Sequence, residues 1–334
     1  VGSEREETSM QLRKLGRDGP EISVVGLGAW AIGGPGRMGW GPQDDQESIA
    51  ALHHAFDSGV SWVDTAAVYG LGHSEEIVGQ VLRETTANVL VFTKCGLNWY
   101  GRDDGEVHND LRPESVRAEL DASLKRLGVE RVDLYQFHWP DRATGTPVED
   151  SWGTMAELAE EGKVRWAGVS NFDVELLERC ERVRHVDAVQ PPLSLIDRAA
   201  LRDVVPWCRA HGTGVIAYSP LQSGLLSGAF DRGRLERLPA DDWRRRAEEF
   251  TEPQLSANLE LAGRLEPVAE RHGVPAAAVA VAWVLAQQGV TGAIVGARRP
   301  SQVNGWLPAG DLALSGDDLA TIDLALRETG AGGR

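Results

Sequence analysis

The sequence predicts an α/β protein built as a (β/α)8 TIM barrel, with an N-terminal β-hairpin and extra C-terminal helices. Three observations carry this. Eight short, strongly apolar runs alternate with eight longer amphipathic runs along nearly the whole chain, the pattern of parallel strands covered on both faces by helices. Several of the apolar runs end in an ionisable residue, as barrel strands do where they reach the site-bearing face. The Gly-x-Gly-x-x-Gly turn of a doubly wound dinucleotide-binding domain is broken, because Gly26-Leu27-Gly28-Ala29-Trp30-Ala31 ends in alanine.

Taken in order, residues 10–24 read as a small hairpin turning at Asp18-Gly19-Pro20. Strands are predicted at 24–27, 62–63, 89–93, 134–137, 166–169, 188–190, 214–218 and 293–295. Helices are predicted at 46–58, 74–83, 113–127, 149–161, 174–183, 198–210, 276–287 and 300–307. Pro113 opens its helix and Gly128 follows it, while Gly59, Gly162 and Gly212 close three others. Residues 254–272 read as one added helix and 317–327 as a final helix outside the barrel. The connections 95–112 and 219–253 are long enough to be covers or binding loops. With no linker and no repeat beyond the βα period, residues 10–330 read as a single domain, preceded by a disordered or cloning-derived leader at 1–9.

Composition narrows the function. The 334 residues include 50 acidic and 34 basic side chains, for a net charge of −16, which argues against a nucleic-acid partner. Three cysteines without metal-type spacing point to a reducing, cytoplasmic setting and no metal site. The longest apolar run, 274–286, is too short to span a bilayer, and the first residues lack a signal-peptide core, so no membrane partner is expected.

Only four of the basic residues are lysines, and there are only four tyrosines. Against that background Lys94 ends the third apolar run, Asp64 the second and His138 the fourth, with Tyr69 five residues beyond Asp64. Singly, each has a plain structural role open to it: a helix cap, a solvated strand end, a packed ring. Together, on one barrel rim, they permit a definite chemistry. A lysine beside a phenol favours phenolate and lowers its pKa, and a carboxylate holds the lysine. A neutral imidazole beside the phenol could hold a carbonyl oxygen. Such a site protonates a carbonyl oxygen as hydride reaches its carbon, and it needs no metal.

These residues lie in an ordered series of motifs. They are Gly26-Leu27-Gly28-Ala29-Trp30, Asp64-Thr65-Ala66-Ala67-Val68-Tyr69-Gly70 with Ser74-Glu75, Thr93-Lys94, Ser123-Leu124-Lys125-Arg126-Leu127-Gly128, Asp133-Leu134-Tyr135-Gln136-Phe137-His138, Gly162-Lys163-Val164-Arg165, Gly168-Val169-Ser170-Asn171-Phe172, Gln190, Tyr218-Ser219-Pro220-Leu221 and Val295-Gly296-Ala297-Arg298. In this series the chain resembles the aldo-keto reductase family, in the branch of bacterial general-stress reductases and potassium-channel β subunits. The resemblance implies that Tyr69 is the general acid, Lys94 lowers its pKa, Asp64 braces Lys94 and His138 orients the carbonyl.

The resemblance also implies NADPH/NADP+ bound across the barrel mouth. Gly28, Trp30 and Asp64 are among the residues expected to meet it. Ser170, Asn171 and Gln190 would take the carboxamide, and Tyr218 would stack on the nicotinamide. The loop carrying Ser219, Pro220, Leu221, Ser223, Gly224 and Leu226 would follow the pyrophosphate. Gly296 and Ala297 lead into the last barrel helix, whose N-terminus is a place for phosphate. Arg298 and Arg299 could take a 2′-phosphate bidentately. Gln302 keeps the family pattern, but Trp306 stands where relatives carry an adenine-contacting Asn.

Trp30, Trp40, Tyr69, Trp99, Tyr100, His138 and Trp139 are the expected substrate-pocket residues. An aromatic wall of this kind suits sugars, aromatic aldehydes or bulky ketones. The expected partner is a small carbonyl or alcohol substrate, and the expected assembly a monomer or weak homo-oligomer. Two other functions use the same residues. One is a cofactor-binding regulatory module of the channel-β-subunit type with little turnover. The other is a narrow biosynthetic sugar or polyketide ketoreductase.

Overall fold

A two-stranded antiparallel ribbon opens the fold, β1 (Leu12–Lys14) against β2 (Glu21–Ser23), turning where Asp18-Gly19-Pro20 predicts. The computed structural model describes residues 10–35, 39–99, 106–240 and 242–332; the expected leader at 1–9 lies outside them. Beyond the ribbon come β3 (Val25–Gly28), β4 (Trp62–Asp64) and β5 (Leu90–Cys95), then a short ribbon of β6 (Leu97–Asn98) and β7 (His108–Asn109). They are followed by β8 (Val132–Phe137), β9 (Val164–Ser170), β10 (Ala188–Gln190), β11 (Gly214–Ala217) and β12 (Gly292–Gly296). Omitting the two ribbons, these strands pair in parallel and in chain order, and β12 returns to β3 to close an eight-stranded barrel. The predicted fold class is the observed one.

The helices that cover it are α1 (Asp45–Asp57), α2 (His73–Glu84), α3 (Pro113–Leu127), α4 (Val148–Glu160), α5 (Val174–Glu181) and α6 (Val204–His211). After β11 come α7 (Arg232–Glu236), α8 (Gln254–Arg264), α9 (Glu266–His272) and α10 (Ala276–Leu285), and after β12 come α11 (Pro300–Trp306) and α12 (Gly316–Thr329). No helix among the described residues is long and apolar enough to cross a membrane.

Two expected helices are divided, each by a proline. The helix expected at 198–210 becomes a 3-10 turn at Ala199–Leu201 and then α6. A continuous helix would press the Pro206 ring on the carbonyl of Arg202, so α6 starts afresh at Val204, capped by Asp203. The single helix expected at 254–272 breaks at Leu265 into α8 and α9, because Pro267 has no N–H to continue the ladder. The 219–253 connection carries α7 and short 3-10 turns, Trp243–Arg245 among them.

Strand alternation decides what the barrel contains. Trp62, Phe92, Leu134, Ala188, Ile216 and Ile294 point inward and form one cluster with Leu15 and Ile22 of the hairpin. Their neighbours Val63, Val91, Tyr135, Val189, Val215 and Val295 point outward into the larger core under the helices. The hairpin thus plugs the bottom of the barrel, and the Trp62 indole donates to the Ser23 carbonyl at 2.8 Å. Two residues further along each inward series come Asp64, Lys94, Gln136, Gln190, Tyr218 and Gly296. An apolar floor and a polar upper layer are therefore written with the same period.

The floor leaves no spare room. A Cβ on Gly26 would sit 2.2 Å from the Trp62 ring. We expect Gly26→Ala to lower stability by about 1–3 kcal/mol through overpacking of the barrel interior. Denaturant unfolding checks this, and an unchanged midpoint would contradict the packing described.

Candidate active site at the barrel mouth

Asp64 and Lys94 are the last inward residues of β4 and β5, and both are buried. The Lys94 ammonium donates to Asp64 Oδ1 at 2.5 Å, to the Thr65 carbonyl at 3.0 Å and to the Tyr69 hydroxyl at 3.3 Å. The other carboxylate oxygen, Asp64 Oδ2, accepts from Gln190 Nε2 at 2.9 Å and Gln136 Nε2 at 3.3 Å. Tyr69 sits on the turn after β4. That turn packs so closely on the segment Trp30–Gly33 that a Cβ on Gly70 would lie 1.9 Å from the Gly33 carbonyl oxygen. Ser74 fastens the same turn, bonding Thr65 Oγ1 and the Ala29 carbonyl.

His138 follows β8. Its N–H bonds the Cys95 carbonyl at 2.9 Å, and its own carbonyl accepts from Asn171 Nδ2 at 2.9 Å. The Tyr69 and His138 rings meet edge to face, centroids 5.6 Å apart. The four residues picked from the strand ends therefore do converge.

The charges are set by this packing. Burial opposes the Lys94 charge, but the Asp64 carboxylate and the Tyr69 phenol more than offset it, so its pKa lies above the ordinary value. Burial also pushes the Tyr69 phenol up; Lys94 works against that shift and Asp64 reinforces it. Lys94 thus acts in the expected direction, but desolvation outweighs it and the phenol stays above its ordinary value. Burial, with Lys94 nearby, holds His138 well below the usual imidazole range. The arrangement presents a neutral phenol backed by an ammonium, beside a neutral imidazole.

On the β9–β11 side, the expected carboxamide residues are bonded to one another. Ser170 Oγ donates to the Gln190 carbonyl, Asn171 Nδ2 donates to Ser170 Oγ, and the Tyr218 hydroxyl donates to Asn171 Oδ1 at 2.8 Å. Gln190 turns its amide nitrogen inward to Asp64 and Gln136. Asn171, Ser219 and Ser223 all hold left-handed backbones, with φ of 63°, 58° and 54°. Such strain tends to gather at ligand-holding turns. Ser219, Leu221, Ser223 and Gly224 are partly open on that turn, whereas Pro220 and Leu226 are buried, so only backbone of these two is on offer. Gly28 ends β3 beneath this mouth, where a Cβ would press on Ile294 at 2.7 Å.

Beside β11, Gly296 ends β12, Ala297 is buried, and Arg298 and Arg299 lead into α11. The expected helix N-terminus carries little here, since α11 has only seven residues and Gln302 Oε1 already accepts the Arg298 N–H at 2.7 Å. The arginines themselves remain. Arg298 lies among Arg244, Arg299 and Arg234, which with burial depress its pKa. A group of arginines whose charges act on Arg298, with Arg244 paired to Asp242, suits a phosphate-bearing ligand, and the neutral donors and acceptors of the neighbouring strands suit a carboxamide. The residues present therefore fit a nicotinamide dinucleotide. Trp306 is buried, its indole N–H without a partner among the described residues, and packs inward, so it is not presented as a replacement for Asn.

Of the expected pocket residues, Trp30 lies 6.4 Å from the Tyr69 ring and meets Trp40 edge to face at 4.9 Å. Trp139 follows His138 and stacks with the Arg142 guanidinium. Trp99 is tied instead to Arg126, on the α3 side of the rim, and Tyr100 lies outside the described residues. Sequence reasoning missed Gln136, although a lone polar residue inside an apolar strand was a usable signal. It also missed Trp243, which stacks on Trp30 at 6.3 Å, and Arg244, which lies over Trp40 at 4.7 Å. Both come from a loop far away in sequence, with no local signal for where it folds.

Residues 24–327 match the Aldo/keto reductase family. The chain belongs to the aldo-keto reductase family. It is 33% identical over 323 residues to the aldo-keto reductase YhdN of Bacillus subtilis (strain 168), covering 96% of this chain and 95% of that protein. It is also 33% identical over 313 residues to the NADH-specific methylglyoxal reductase of Escherichia coli (strain K12), covering 91% and 94% of the two chains. Among solved structures, the glycerol dehydrogenase AKR11B4 from Gluconobacter oxydans superposes with a TM-score of 0.87 at 39% identity, covering 96% of each chain. As an aldo-keto reductase, the chain is an oxidoreductase on a TIM barrel.

The neutral state of His138 has a consequence for stability. Its folded pKa is depressed, so below about pH 6.5 the unfolded chain takes up a proton that the folded chain does not. Stability should therefore fall on acidification from about pH 6.5 towards the depressed value, by at most about 1.4 kcal/mol per pH unit from this group. We expect His138→Gln to lose less stability than the wild type between pH 7 and 5 in urea titrations. Parallel pH dependences would refute a neutral His138.

Proposed function

We propose that this aldo-keto reductase reduces aldehydes or ketones to alcohols with NADPH, and that Tyr69 supplies the proton. The observation that carries the reading is the placement of one phenol 3.3 Å from a buried ammonium and edge-on to a neutral imidazole. When bound, the reduced nicotinamide supplies the hydride. The chain's residues do the rest. His138, held through its backbone by Cys95 and Asn171, orients the carbonyl by a hydrogen bond to its oxygen.

As that oxygen becomes an alkoxide it takes the Tyr69 proton. A phenol kept above its ordinary pKa stays protonated until that demand arises. The phenolate then forms against the Lys94 ammonium, which Asp64, Gln136 and Gln190 hold in place. In the alcohol-oxidising direction the same groups act in reverse.

Ser170, Asn171 and Gln190 are proposed to hold the carboxamide, Tyr218 to face the nicotinamide ring, and Arg298 and Arg299 to meet the 2′-phosphate. Trp30, Trp40, Trp139 and Trp243 would wall the substrate. The names of two relatives, a methylglyoxal reductase and a glycerol dehydrogenase, support small carbonyl or alcohol substrates. The first is named NADH-specific, which favours a second reading with NADH; the arginine cluster supports NADPH. The proposal takes 10–330 as one domain, acting as a monomer or weak homo-oligomer in the cytoplasm, a setting that suits its buried free cysteines.

Tyr69→Phe should lower kcat by about 10²–10⁴-fold while leaving cofactor affinity unchanged. NADPH absorbance in a carbonyl-substrate screen reads the first and fluorescence titration the second; retained turnover would remove Tyr69 from its role. Titrating the wild type with both cofactors should show tighter binding of NADPH, and equal affinities would favour the NADH reading.

A further inference from the structure

Arg298 is held at four points. Its N–H bonds Gln302 Oε1 at 2.7 Å, and its carbonyl accepts from Gln43 Nε2 at 2.9 Å. Its side-chain Nε donates to Gln43 Oε1 at 2.5 Å, and Nη2 donates to the Pro42 carbonyl. Gln43 is itself anchored at the start of α1. There Nε2 has Ser48 Oγ at 2.8 Å and the Asp44 carbonyl at 3.1 Å as further acceptors, more than its two hydrogens can satisfy together. Asp44 caps α1 through the N–H groups of Gln46 and Glu47. The side chain of residue 43 thus ties the head of the first barrel helix to residue 298 near the other end of the chain.

Among the described residues, every acceptor on that guanidinium is uncharged. A carboxylate at position 43 would make a salt bridge and cancel the arginine's charge; an amide fixes its direction and leaves the charge whole. The Nε–Nη2 edge is taken, while Nη1 has no partner among the described residues and the residue is partly exposed. Arg244 lies over Trp40, which is close to Pro42 and Gln43 in the chain, and is partnered by Asp242. Arg234 and Arg299 add further positive charge, with Asp231 the acidic group beside Arg234. What remains is a pre-aimed cation in an excess of like charge, an arrangement that a dianionic phosphate monoester relieves better than a neutral hydroxyl.

We infer that Gln43 is a positioning residue that aims Arg298 at a ribose phosphate monoester and so sets the choice between phosphorylated and unphosphorylated dinucleotides. The inference rests on the NADPH reading and extends it to a residue outside the cofactor motifs.

The test measures binding, not turnover, with NADPH, NADH, adenosine 2′,5′-bisphosphate and AMP as probes, by fluorescence and calorimetry. Gln43→Ala should weaken NADPH and the bisphosphate about tenfold, while NADH and AMP change less than about twofold. Gln43→Glu, which keeps the shape and adds the cancelling charge, should weaken the phosphorylated pair further, and it serves in place of the alanine variant if that fails to fold. In an Arg298→Ala background, Gln43→Ala should have no further effect, since the two act as one unit.

Equal losses for both cofactors, no loss for either, or a Gln43 effect that persists without Arg298 would overturn the inference. If Arg298→Ala discriminates between the cofactors and Gln43→Ala does not, the inference falls and the NADPH reading stands. If Arg298→Ala does not discriminate, the inference falls together with the assignment of Arg298 to the 2′-phosphate, while the wild-type preference still decides the NADPH reading.

Discussion

A buried ammonium and a buried carboxylate, 2.5 Å apart at the top of a closed barrel, impose the main constraint on this molecule. Neither charge is tolerable there alone, since removing one partner of a buried pair strands the other at a penalty of about 3–5 kcal/mol. The barrel meets the demand with neutral groups. Two glutamine amides and one backbone carbonyl complete the shells of Asp64 and Lys94 without adding charge. The apolar floor of Trp62, Phe92, Leu134 and Ile294, plugged by the hairpin, closes the barrel interior from below. Tyr69 lies against the Lys94 end of this pair, and His138 meets Tyr69 edge to face. Their protonation states follow from burial beside a fixed cation.

Neighbouring parts of the mouth have different electrical characters. On the side of β9 to β11, Ser170, Asn171, Gln190 and Tyr218 form a neutral chain of hydrogen bonds. On the side of β12, arginines from two distant segments converge. The net charge of −16 says nothing about this division, because a ligand at the mouth responds to groups within a Debye length and to buried ones most of all. The long connection after β11 brings Trp243 onto Trp30 and Arg244 onto Trp40.

Several motifs that suggested the family are structural supports. Glu75 is fully buried, accepting from Thr93 Oγ1 at 2.6 Å and from Arg126 at 2.7 Å, and so locks α2 and α3 to the strand that carries Lys94. Glu119 of α3 accepts the Gly96 N–H just beyond Lys94, and its burial raises its pKa to about 8. These supports act on the backbone around the site and leave the reacting positions to the strand ends.

The sequence by itself determined the barrel, the hairpin and the strand-end residues Asp64, Lys94 and His138, because each depends on local periodicity. A period of two places Asp64, Lys94 and Gln136 on the same face as the apolar floor, and a shift of one residue would turn them all outward. Proline positions that divide two helices were also legible in principle, since that effect is steric and local. Tertiary structure alone decided the rest. The sign of the Tyr69 shift depends on how far burial outweighs Lys94, a balance set by groups from several strands. The bond between Gln43 and Arg298 joins residues 255 positions apart, and the approach of Trp243 to Trp30 likewise depends on how a long loop closes. No pattern along the chain encodes such contacts, because they exist only once the barrel has brought its two ends together.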